Sequence, residues 1–190
     1  NGIGLYAKDS KVELSNITVN LNGDNGLAFY LDGTTDFSTS GTNNININGR
    51  NNTLFVMNDN TVFSQNFNII SSLGSSYVVG NIINSSFTYD DAIAELDSNG
   101  TLIYGKNSNI TIGSNSNIKS KDGATNVVGA TTDKGTIINN GKIDLGNESV
   151  GLYGEDGAHI VNDLGTINVQ DNSVALYSDG DISSGTSNNG

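Results

Sequence analysis

Along most of the chain, apolar and polar residues alternate strictly in runs of three to six residues. Val12/Leu14, Ile17/Val19/Leu21, Leu27/Phe29/Leu31, Ile45/Ile47, Ile110/Ile112, Ile143/Leu145 and Ile167/Val169 are the clearest pairs and triplets. Each run is bounded by Asn, Gly, Ser or Asp. That combination predicts short strands with one buried face. Helical spacing is almost missing, and only Asp91-Ala92-Ile93-Ala94-Glu95-Leu96 is patterned for a helical turn or two. Turn pairs needing positive φ punctuate the runs, at Asn22-Gly23, Asn25-Gly26, Asp32-Gly33, Asn48-Gly49, Asn99-Gly100, Asp122-Gly123, Asn140-Gly141, Asp156-Gly157 and Asp179-Gly180.

The runs themselves recur. A Leu-Tyr doublet or a relative of it stands at Leu5-Tyr6, Phe29-Tyr30, Leu54-Phe55, Tyr77-Val78, Ile103-Tyr104, Val127-Val128, Leu152-Tyr153 and Leu176-Tyr177, in steps of 24, 25, 23, 26, 24, 25 and 24 residues. A steady period in this range means that one supersecondary unit stacks on the next. Turn-rich strands also suit hairpins, but a propeller blade needs about 40 residues and four strands. About three short strands fit in each repeat here. Three strands and three turns close one coil, so the pattern predicts an all-β, right-handed parallel β-helix (β-solenoid) of about eight coils of roughly 24 residues each. Residues 1–190 read as a single β-helical segment. Because the chain opens inside one doublet repeat and stops shortly after another, at least one native cap is expected to be missing.

Composition sharpens this picture at three points. Hydrophobic residues make up only 35% of the chain, which suits a narrow continuous core rather than a spherical one. Proline is absent, as expected where nearly every strand has a neighbour on both edges and a missing N–H would cost a ladder bond. Cysteine is absent too, so neither disulfides nor thiolate metal sites hold the coils together. No run of about 18 apolar residues and no leader pattern is present. The net charge of −12, with no Lys or Arg after Lys142, opposes nucleic acid and anionic lipid as partners.

Stacking coils turns sequence positions into columns. Leu5, Phe29, Ile103, Leu152 and Leu176 form an interior column; Asn84, Asn139 and Asn162 suggest a ladder of side-chain amides, or equally a set of left-handed turns. Tyr6, Tyr30, Tyr104, Tyr153 and Tyr177 form an outward aromatic column. It suits contact with a sugar ring or a protein, and equally the mutual cover of neighbouring rings. Asp9, Asp32, Asp59, Asp133, Asp156 and Asp179 follow the doublets by three to five residues. Within this acidic column Asp133, Asp156 and Asp179 are the candidate metal ligands, since stacked carboxylates invite a divalent cation. The favoured reading is that they cap turns, with no cofactor required.

Catalytic readings are poorly supplied. The one histidine, His159, lies in a strand without a nucleophile turn nearby, and the one arginine, Arg50, has Gly26 and Gly74 as its expected coil neighbours. Asp90-Asp91 with Asp97 is the sole carboxylate cluster suited to glycoside hydrolysis, and adjacent strand residues face opposite ways. No catalytic residue is assigned.

The run Gly135-Thr136-Ile137-Ile138-Asn139-Asn140-Gly141-Lys142-Ile143-Asp144-Leu145, followed by Ser149-Val150-Gly151-Leu152-Tyr153, resembles the passenger repeats of large type V autotransporter adhesins of the fusobacterial outer-membrane type. The same phrasing returns at 159–169 and 173–177, and the likeness is clearest over 129–181. The resemblance implies an internal piece of a passenger displayed at the cell surface of the outer membrane, held there by a C-terminal barrel that this chain does not contain. It implies a virulence-associated adhesin or stalk, with a host-cell or bacterial surface protein or glycan as partner. The alternative is a β-helical carbohydrate-active protein of tailspike or polysaccharide-lyase type.

Overall fold

The computed structural model describes residues 2–59, 61–71 and 77–184. They form three parallel sheets and, among the described residues, no helix. Sheet A stacks Ile3–Lys8, Leu27–Asp32, Thr53–Asn58, Tyr77–Ile83, Gly100–Lys106, Val128–Asp133, Val150–Glu155 and Val174–Ser178. Sheet B stacks Lys11–Ser15, Asp36–Ser40, Val62–Gln65, Ser86–Tyr89, Asn109–Ile112, Thr136–Asn139, His159–Asn162 and Ile182–Ser184. Sheet C stacks Thr18–Leu21, Asn43–Ile47, Phe67–Ser71, Ile93–Leu96, Asn117–Ser120, Lys142–Leu145 and Thr166–Val169. The chain visits A, B and C in turn, completing seven coils and two strands of an eighth. Eight strands at the usual spacing span about 34 Å between the first and last strand axes. This is the β-solenoid that the period predicts.

The register refines the sequence reading. Leu5, Phe29, Phe55, Gly80, Ile103, Ala130, Leu152 and Leu176 stand one above another. Leu54-Phe55 is therefore one residue out of phase with the doublet column, and Tyr77-Val78 and Val127-Val128 are three residues out. Ala28, Leu54 and Leu102 are buried, and so are the residues that follow them, Phe29, Phe55 and Ile103. Two successive inward residues thus let Leu54-Phe55 pass for the true doublet, whereas Tyr77 and Val127 are buried residues at or just before the start of their strands. The one segment with helical patterning is a strand like the rest: Ile93–Leu96 belongs to sheet C, with Ala94 and Leu96 buried and Ile93 exposed.

The core changes character along the rod. In sheet B, Phe63 lies between Phe37 at 4.5 Å and Phe87 at 5.1 Å, both pairs nearly parallel. In sheet A, Phe29 and Phe55 stack at 5.3 Å. Further on, the same columns carry Ile110, Ile137 and Ile160, with Ile103 and Leu152 opposite. Small residues make the room that large ones need. A Cβ on Gly80 would meet Ile103 Cδ1 at 2.7 Å, and one on Gly100 would meet the Tyr77 hydroxyl at 2.7 Å. The inward residues of the first coil, among them Leu5, Leu14, Ile17, Val19 and Leu21, are only half-buried and line an open apolar cavity of about 500 Å³.

The corners hold the ladder together. At the A-to-B corner, Asp9, Gly33, Asp59, Asn84, Asn107, Lys134 and Asp156 all have φ between 48° and 60°. At the C-to-A corner, Asn25, Asn51, Asn99, Asn126, Glu148 and Asn172 do the same, with φ between 54° and 63°. Left-handed geometry turns the chain, yet N–H groups there still donate to the coil above: Asn84 to Lys106 O at 3.0 Å, Asn99 to Thr125 O at 3.1 Å and Asp156 to the Asp179 carboxylate at 3.1 Å. Ser85, Ser108 and Ser149 follow such residues directly, are buried, and donate their hydroxyls to corner carbonyls at 2.8, 2.8 and 3.0 Å. The turn pairs expected from sequence thus supply positive φ at Asn25, Gly33, Asn99, Gly123, Asp156 and Gly157, but not at Gly23, Gly26, Gly49, Gly100, Gly141 or Gly180.

Two substitutions test this account by chemical denaturation. Phe63→Ala is expected to cost about 3–5 kcal/mol, as for large-to-small changes in a packed core. Asn107→Val is expected to cost about 1–2 kcal/mol from backbone crowding in the left-handed region, with Asn107→Gly clearly milder. Equal losses for the valine and glycine variants would show that the corner geometry is not what Asn107 provides.

Candidate functional site

The tyrosine column is real in register but not continuous. Its members in order are Tyr6, Tyr30, Val56, Asn81, Tyr104, Thr131, Tyr153 and Tyr177. Two stacked pairs result, Tyr6–Tyr30 with ring centres 5.4 Å apart and Tyr153–Tyr177 at 4.8 Å. Tyr104 stands alone between them. Tyr6, Tyr104 and Tyr177 are exposed, while Tyr30 and Tyr153 are half-covered. Outward placement follows from strand alternation, since each of these residues succeeds an inward one. The remaining tyrosines, Tyr77 and Tyr89, are buried, and the Tyr89 hydroxyl donates to Phe67 O at 3.1 Å.

The two pairs are anchored differently. Tyr30 accepts a bond from Asn58 Nδ2 at 2.7 Å. Tyr153 donates to Glu155 Oε1 at 2.7 Å. That bond to a carboxylate is the main reason the Tyr153 phenol is pushed up to about 12, with burial and the charge of Glu155 adding to it. Glu155, Asp179 and Tyr177 make this end of the column an aromatic face edged by carboxylates.

The acidic column splits in two. Asp32, Asp133, Glu155 and Asp179 occupy one register position, whereas Asp9, Asp59 and Asp156 occupy the next. Asp133, Asp156 and Asp179 therefore do not form one line, because coil lengths vary by a few residues and equal sequence spacing does not give equal register. Asp156 lies beside Lys134, with Oδ2 and Nζ 3.4 Å apart. Asp179 accepts from the N–H groups of Asp156 at 3.1 Å and Gly157 at 3.0 Å. Asp9 likewise accepts from Thr34 N at 3.0 Å. Asp9 and Asp179 thus cap the corner of a neighbouring coil rather than their own, whereas Asp156 is held by its ion pair and Asp133 Oδ1 is buried without a hydrogen-bond partner among the described residues.

The remaining predicted positions are scattered. Among the proposed amide ladder, Asn139 and Asn162 pair at 2.8 Å inside sheet B, while Asn84 belongs to the A-to-B corner and pairs with Asn107 and Asp59 at 2.9 Å each. His159 is exposed on sheet B. Arg50 stands over Asp24, whose carboxylate accepts its N–H at 2.7 Å, and not over Gly26; Gly74 lies outside the described residues. Asp90-Asp91 and Asp97 sit at opposite ends of the strand Ile93–Leu96, so the structure does not gather them.

Sequence reasoning overlooked one feature. The C-to-A corner spans four residues at 146–149 and at 170–173 but seven at 121–127. The longer loop overhangs the two coils beyond it and bounds a cleft of about 390 Å³. A residue count between the apolar runs ending at Ile118 and beginning at Val127 carries the signal, but the misplaced Val127-Val128 doublet conceals it.

Comparison with family models, with curated proteins and with solved structures finds no match to the chain.

Two outcomes follow. Glu155→Gln is expected to bring the Tyr153 phenol back toward the ordinary range near 10, read by NMR titration of the ring resonance. Calcium or a chelator is expected to leave the melting temperature unchanged, because Asp179 already accepts two N–H bonds and Asp156 faces the Lys134 ammonium. A rise of several degrees with calcium, abolished in Asp156→Asn, would overturn the capping account.

Proposed function

We propose that this chain is a stretch of a surface-displayed adhesive stalk, of the kind found in autotransporter passengers. The observation that carries the reading is the pairing of a parallel β-solenoid with an outward column that sets two stacked tyrosine pairs in register, Tyr6–Tyr30 and Tyr153–Tyr177. Such a scaffold sets contact groups at one fixed spacing along a line, so several weak contacts act together. The sequence likeness over 129–181 supports the secretion route. The acidic surface, net −12, supports a protein or glycan partner over nucleic acid or anionic lipid.

The exposed aromatic pairs are the contact we assign. Stacked rings offer apolar faces at small entropic cost, and Tyr153 adds a fixed hydroxyl through Glu155. The partner is a host-cell or bacterial surface protein or glycan, and the location is the outer face of the cell.

The test is attachment of the purified chain to host cells and to other bacteria. Specific, saturable attachment is expected, weakened at least ten-fold by Tyr153→Ala with Tyr177→Ala while the melting temperature changes little. Absence of attachment to any surface, or turnover of a surface polysaccharide by the purified chain, would overturn the adhesive reading.

A further inference from the structure

The cleft beneath the long C-to-A corner has the composition of a recognition site. Its roof is the segment 121–125, where Gly123 takes φ +75° and the chain turns back, Ala124 N donating to Lys121 O at 3.0 Å. The roof is fixed to its surroundings at three points. Thr125 N donates to Ser98 Oγ at 3.1 Å, Lys121 N to Leu96 O at 2.8 Å, and the Lys121 ammonium lies 3.8 Å from buried Asp97. Below it, Gly146 N donates to Ser120 Oγ at 2.7 Å. A side chain at Gly146 would run into Ala124 O, so glycine there lets the roof approach.

The walls present both donors and acceptors. Asn147 uses its oxygen to hold Asp171 N at 3.1 Å, which leaves its amide NH₂ as a donor. Asn168 donates to Asp144 at 2.6 Å, leaving its oxygen as an acceptor. Asp122 and Gln170 are exposed at the rim. Burial alone would raise the Asp144 carboxyl, but the bonds from Lys142 and Asn168 and the Lys142 charge outweigh it and hold it below its ordinary value. Asp144 is therefore charged across neutral pH, and this wall keeps its form. Its contribution to stability is present above its ordinary pKa and is lost only as the pH falls through the lower folded value.

We propose that this cleft binds a saccharide, a short stretch of a surface glycan. The volume lies in the range of small-molecule sites. Amides, a carboxylate and an ammonium at close quarters match the mixed donors and acceptors of vicinal hydroxyls. Other ligand classes fit worse. The cleft lining has no aromatic ring to stack a nucleobase. Each lysine in it already faces a carboxylate, Lys119 facing Glu95 at 3.8 Å and Lys121 facing Asp97, so a phosphate would find no uncommitted cation. This inference deepens the adhesive reading by naming the ligand class and a site apart from the tyrosine column.

Saturation-transfer NMR on the whole 190-residue chain, with lactose, chitobiose and oligogalacturonate as probes and inorganic phosphate as control, decides the matter. At least one saccharide is expected to bind, and Asp122→Ala with Gln170→Ala, both exposed, should weaken it at least ten-fold with an unchanged melting temperature. Removing 122–124, which restores the corner to four residues, should abolish binding. No saccharide binding at millimolar concentration, binding indifferent to these changes, or displacement of sugar by phosphate would overturn the proposal. Cell attachment that survives the cleft variants removes the cleft and leaves the adhesive stalk standing. Saccharide binding without cell attachment does the reverse.

Discussion

Everything in this molecule depends on one requirement, that backbone N–H groups find acceptors on the neighbouring coil along the strands and, largely, where the chain turns. Straight strands meet it at no special cost. Corners meet it because single residues enter the left-handed region, reverse the chain direction, and still donate along the rod. L-residues other than glycine resist that conformation, and Asn and Asp resist it least. Hence the chain is dense in both, and the buried serines that follow them satisfy the corner carbonyls. An asparagine-rich, proline-free composition is the chemical consequence of turning a ladder.

The same requirement fixes what the core does. Once the ladder sets the register, each inward residue touches its counterpart above and below, so like sits on like. Phe37, Phe63 and Phe87 stack as a column because the backbone places them there, and offset aromatic packing rewards it. Where a column changes size, the adjacent coil in that same column compensates, as Gly80 does for Ile103 and Gly100 for Tyr77. Outside, the rule is identical but the outcome differs: Tyr153 over Tyr177 is a contact surface, and Asp179 over Glu155 is a line of charge that the corner N–H groups absorb.

Much of this was legible in the residues. Alternation gave the strands, the doublets gave the period, and the missing proline agreed with continuous pairing. What escaped was phase. The two adjacent inward residues in each sheet A strand let Leu54-Phe55 pass for the doublet, buried Tyr77 and Val127 at the strand starts did the same, and A-to-B and B-to-C corners that lengthen from two residues to three erased the equal spacing assumed for Asp133, Asp156 and Asp179. The pairs Asn84-Ser85, Asn107-Ser108 and Asn172-Ser173 mark corners more faithfully than Asn-Gly does, because the left-handed residue needs a hydroxyl after it more than it needs a glycine. The cleft was hidden by the same slip of phase, since it exists only as a surplus of three residues in one corner.

The direction of the ladder has a mechanical meaning. Its hydrogen bonds run along the rod, so a pull on the two ends loads them head-on, one coil's set before the next, and not all together in shear. Each corner is then a separate catch along the line. Under tension such a rod yields stepwise, lengthening by one coil's worth of chain at a time while the coils still wound keep their shape. A tether that lengthens in increments limits the peak force on whatever it holds.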